Sequence, residues 1–137
     1  VIRHRSLGDW LLLSEAGVLL LLARAALRLV PVASIVRWIR RPMQPRASNP
    51  AVIEKCRWAV TAFSRNAPVR LVCFPQALAL HAMLRRRGIA SDVLYGAARL
   101  DDGELVAHAW LRYNGTVLVG GETAGSFSVL DTWSPGR

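Results

Sequence analysis

Cys73 opens a stretch, VCFPQALALHAMLRRRG at 72–88, that reads as a thiol set on the start of a buried helix. Pro75 suits the first turn, where its missing N–H is not needed, and Gly88 behind Arg85, Arg86 and Arg87 suits the C-terminal stop. Between them Phe74, Ala77, Leu78, Ala79, Leu80, Ala82, Met83 and Leu84 leave almost no polar face. A thiol at a helix N-terminus meets the positive end of the backbone dipole, which favours thiolate. Cys73 is therefore a candidate nucleophile, beside the plainer reading of a small buried hydrophobe. Cys56 gets only the plainer reading, on an expected packing face with Ile53, Val60 and Phe63.

A nucleophilic cysteine needs a base presented from another element. His108, in VAHAWLRYNG, is the candidate. Alternation puts it on one strand face with Val106 and Trp110, where the indole shelters the imidazole. If that face packs on the Cys73 helix, thiol and imidazole meet. The third member should accept a hydrogen bond from the imidazole. A two-residue Asn114-Gly115 loop pairs residues whose numbers sum to about 229, setting His108 opposite Gly121. A three-residue loop lowers the sum to about 228, and Glu122 then lies diagonally on the His108 face. Glu122 is the acid favoured by the second case; Asp92, Asp101, Asp102 and Asp131 are less well placed.

The elements that must hold these residues follow from period and punctuation. Leu7 to Val30 is helical and very apolar, but Glu15, Arg24 and Arg28 cut its uncharged run well below the roughly 20 residues of a membrane span. We expect a helix covering the core or lying on a surface, with peripheral membrane contact as a further possibility. Pro31 ends it, and Ala33 to Arg40 makes a short second helix. Prolines 42, 45 and 50 mark a linker, after which Asn49-Pro50 caps a third helix running to about Ser64. Beyond Gly88 the period becomes alternating. Ser91–Leu100, Glu104–Tyr113 and Thr116–Val119 read as strands joined by turns at Asp101-Asp102-Gly103 and Asn114-Gly115. The tail from Ser126 has no assignment. The expected organisation is a helical arm at 1–48 and an α+β core at 49–137.

Composition narrows the classes. At 137 residues, 53% hydrophobic and 20% charged, the chain can bury one core and is not a disordered polymer. Its net charge of +9 comes almost wholly from arginine, since Lys55 is the only lysine. That charge could meet nucleic acid, anionic lipid or an acidic peptide. No RNA-recognition signature, zinc-ligand spacing or basic run interleaved with aromatics is present, so nucleic acid and metal are set aside. Two cysteines do not make a disulfide framework; reduced thiols and a cytoplasmic setting are the simpler expectation.

Taken together, Cys73-Phe74-Pro75-Gln76-Ala77, the Leu84-Arg85-Arg86-Arg87-Gly88-Ile89 helix end, His108-Ala109-Trp110 and Asn114-Gly115 resemble the transglutaminase-like B proteins of lasso-peptide biosynthesis. The leucine-rich arm ending at Val30-Pro31, with Trp38 behind it, is similar to the segment those proteins carry before the cysteine domain. The resemblance implies a papain-like, transglutaminase-type core and a cysteine peptidase that removes the leader of a ribosomally made precursor peptide, without a cofactor. Cys73 matches the family nucleophile and His108 its base. The family acid, usually aspartate on the next strand, has no aspartate here, and Glu122 follows Gly120-Gly121. No alternating strands of a fused winged-helix domain precede Ala51, so the chain resembles the stand-alone peptidase. A separate leader-binding protein and an ATP-dependent macrolactam synthetase are the implied partners. Acyl transfer to an amine, and a non-catalytic scaffold using the arm at 7–40, are the competing readings.

Overall fold

The computed structural model describes residues 6–47, 49–69, 71–99, 101–119 and 128–136. Its first helix, α1 (Leu7–Leu29), starts in a capping box: the Ser6 hydroxyl accepts from the Asp9 N–H at 3.2 Å and the Asp9 carboxylate from the Ser6 N–H at 3.3 Å. Pro31 follows its end and leads into α2 (Val32–Ile39). Asn49 caps α3 (Pro50–Asn66), its side-chain oxygen accepting from the Ala51 N–H at 2.9 Å, with Pro50 in the first turn as expected. The cysteine helix α4 (Cys73–Arg86) closes in a Schellman arrangement. The Ile89 N–H bonds the Leu84 carbonyl and the Gly88 N–H bonds that of Arg85, with Gly88 at φ +76°.

The remaining described residues form one antiparallel sheet ordered β3-β2-β1-β4, from β1 (Asp92–Arg99), β2 (Leu105–Tyr113), β3 (Thr116–Val119) and β4 (Ser128–Trp133). Among the described residues the protein is thus an α+β fold of four helices and a four-stranded antiparallel sheet. The strand β4 escapes sequence reading because it is an edge strand whose first four residues are exposed, so burial imposes no alternation on it.

The hairpin decides between the two loop lengths considered. Asn114 (φ 51°) and Gly115 (φ 82°) make a two-residue turn, pairing Tyr113 with Thr116 and Arg112 with Val117. A bulge then shifts Leu111 onto Val119, so beyond it the pairing follows neither of the two simple registers, and Glu122 lies past the described part of β3.

By length and composition α1 could cross a membrane. In this fold its inner face buries Ala16, Gly17, Leu20 and Ala23 against α3 and α4. Gly17 is glycine for a packing reason, because the Phe63 ring of α3 occupies the space a Cβ would need. Glu15, which interrupts the apolar run, turns inward to Arg87 at 2.7 Å and Arg86 at 2.9 Å. The arginines closing α4 therefore do more than face its dipole. They fasten α1, while Arg85 holds the carbonyls of Arg41 and Pro42 in the linker.

Candidate active site

Cys73 is the first residue of α4 and partly exposed, with Val72 as its cap in extended conformation. The first i→i−4 bond runs from the Gln76 N–H to the Val72 carbonyl at 3.1 Å. The N–H groups of Cys73 and Phe74 thus precede the helical ladder, and Pro75 has none. The Gln76 side chain bonds the Leu71 carbonyl at 2.8 Å and braces the approach to the cysteine. Beside the thiol, Phe74 packs on Tyr95 with ring centroids 5.7 Å apart, and Tyr95 stacks on Trp133 at 5.8 Å. This aromatic row ties the helix start to β1 and β4.

His108 lies on β2, paired with Gly96. As alternation requires, it shares a face with Trp110, the rings meeting edge-on at 5.0 Å. Gly96 is a glycine inside a strand, a signal of close approach that the sequence carries. A Cβ there would meet the Trp110 indole at 2.6 Å and the Ser128 carbonyl oxygen at 2.6 Å. Glycine lets the indole lie over β1, and the indole in turn flanks the imidazole.

The β1–β2 ladder places Val93, Tyr95, Ala109 and Leu111 on one face and Leu94, Gly96, His108 and Trp110 on the other. The core shared with α4 takes Val93, Ala109 and Leu111, and Phe74 rests on Tyr95. The helix therefore lies on the Ala109 face, not on the His108 face as anticipated. The residue types explain the choice, since Ala109 and Val93 let a helix approach closely whereas Trp110 covers its own side of the sheet. The structure brings Cys73 and His108 onto adjoining elements, the head of α4 and the strand β2 that packs on it.

Glu122 lies outside the described residues. Three of the other acids considered have structural partners: Asp92 pairs with Arg112 at 3.2 Å, and Asp102 accepts the Glu104 N–H in the turn. Asp131 accepts from the Trp133 indole at 2.9 Å, which, with the Thr132 N–H and Arg40, holds its carboxyl below the usual range. Cys56 is buried in the core, and burial pushes its thiol up, as befits core filling. Both cysteines are free thiols. Among the described residues no group of three or more potential metal ligands is assembled.

A partly exposed thiol thus heads a buried helix laid on an antiparallel sheet, an α+β arrangement in which a cysteine can serve as nucleophile. Residues 16–132 match the transglutaminase-like superfamily, and the chain belongs to it. Members of that superfamily are generally cysteine-dependent enzymes, typically peptidases or acyltransferases. No curated protein and no solved structure matches this chain.

Proposed function

We propose that this protein is a cytoplasmic cysteine peptidase that removes the leader from a lasso precursor peptide, working with a separate leader-binding protein ahead of an ATP-dependent macrolactam synthetase. The observation that carries the reading is Cys73, partly exposed at the first position of α4 in a chain of the transglutaminase-like superfamily. In this mechanism His108 takes the thiol proton and the thiolate attacks the carbonyl at the leader–core junction. The N–H groups of Cys73 and Phe74 receive the oxyanion. Collapse breaks the C–N bond, the imidazolium gives its proton to the departing core amine, and water hydrolyses the thioester to free the leader acid. Glu122 is the carboxylate assigned to orient the imidazole.

Purified protein mixed with precursor and leader-binding protein tests each role. Cys73→Ala should lower leader release by at least about 10³-fold and Cys56→Ala should leave it nearly unchanged. His108→Ala should cost about 10²- to 10⁴-fold, the usual range for a general base. Cleavage by Cys73→Ala would sink the reading, and full activity in His108→Ala would remove the base. Product masses carrying an added amine in place of the free leader acid would favour acyl transfer.

A further inference from the structure

Beyond that activity, the outer face of α1 is apolar along most of its length, interrupted by the exposed Ser14. Leu7, Leu11, Val18, Leu21, Leu22 and Leu29 are all between 48% and 83% exposed. At 100° per residue they fall within a stripe about 120° wide, running roughly 35 Å along the helix. A cleft of about 320 Å³ between α1, α2 and α4, lined by Leu19, Leu22, Ala26, Val30 and Trp38 among others, widens the apolar surface on one side. Trp10, 58% exposed, stands near the N-terminal end of the stripe.

Charge is divided with the same asymmetry. Residues 1–90 carry fifteen basic and three acidic side chains, a net +12, whereas residues 91–137 carry three and six, a net −3. The three acids of the first part are all neutralised, Asp9 by Lys55, Glu15 by Arg86 and Arg87, and Glu54 by Arg57. Arg24 and Arg28 flank the stripe on α1 itself. Two copies of a chain with a net charge of +9 repel each other, which disfavours a self-interface. An apolar stripe beside arginines, with an aromatic ring near its end, fits a flat anionic and apolar surface.

We propose that α1 docks this protein on anionic phospholipid bilayers, lying in the interface with its leucine stripe among the acyl chains and its arginines among the headgroups. The full chain should sediment with vesicles of phosphatidylcholine mixed with phosphatidylglycerol, not with phosphatidylcholine alone, and salt should release it. The variant Leu11→Ser/Val18→Ser/Leu22→Ser changes only exposed side chains, so its helicity should match that of the parent while partitioning drops at least tenfold. Arg24→Gln and Arg28→Gln should each weaken binding about fivefold. A blue shift of tryptophan fluorescence on binding should diminish in Trp10→Phe. Absence of vesicle binding overturns the proposal. So does binding that the serine variant retains, which would be charge attraction without the stripe. Association resisting both salt and alkaline carbonate would mean insertion instead of surface docking, and a dimer dissolved by the serine variant would mean the stripe is a self-interface.

Discussion

His81 is the buried histidine of the cysteine helix, and its surroundings separate it from the chemistry. Its Nδ1 lies 2.8 Å from the Ser91 hydroxyl, and the Trp38 ring meets it edge-on at 5.4 Å. Burial, helped by nearby Arg85 and opposed by Asp92 and the Ser91 contact, pushes its pKa down to about 4. The unfolded chain, with an ordinary imidazole, therefore binds the proton first as pH falls. Stability should be level above about pH 6.5 and decline toward pH 4, by about 3 kcal/mol in all. Urea unfolding across that window should show the loss, and His81→Gln should flatten it; an unchanged slope in the variant would assign the effect elsewhere. At this scale the sequence spoke clearly about Cys73, because Pro75 and Gly88 punctuate its helix. It also fixed the parity of His108 with Trp110. Parity does not say which face a helix will choose, and that depended on the small side chains of Ala109 and Val93 meeting α4.

The arginines at the end of α4 bind two elements that are far apart in sequence. Arg86 and Arg87 converge on Glu15, whose side chain is 18% exposed, and Arg87 first of all holds its carboxyl below the usual range. A depressed carboxyl contributes stability that is complete above its unfolded pKa near 4.5 and is lost as pH falls through the folded value. This window lies below that of His81. Glu15→Gln should lower stability at neutral pH by about 1–2 kcal/mol, since it removes the charge but keeps the shape. Thermal unfolding measures this, and a double variant with Arg87→Gln should lose less than the sum of the single losses. Helix ends and the first three strands were legible because caps, prolines, glycines and the Asn-Gly turn act locally. The clamp and the bulge at Leu111 were not, since both depend on partners that only the tertiary fold supplies.

Across the whole molecule, the linker at 41–50 separates two sequence patterns without separating two cores. The arm delivers Ala16, Leu20, Ala23, Ile35 and Ile39 to the same buried cluster as Leu80, Met83, Val93 and Leu111. Its end is also fastened to the far edge of the sheet, where Arg40 faces Asp131 at 3.7 Å and the Arg40 carbonyl accepts the Gly136 N–H at 2.8 Å. Burying Leu20, Ile35 and Ile39 is worth about 1.5–3 kcal/mol each. Their sum rivals the whole stability of an ordinary domain, about 5–15 kcal/mol. A chain starting at Asn49 should therefore lose cooperative thermal unfolding and bind a hydrophobic dye, even though it keeps every candidate catalytic residue. Adding residues 1–48 as a separate peptide should restore part of the transition, because the lost contacts are non-covalent. A truncated chain that melts cooperatively near the parent's temperature would show that the arm is an appendage and that the contacts of Leu20 and Ile39 contribute little.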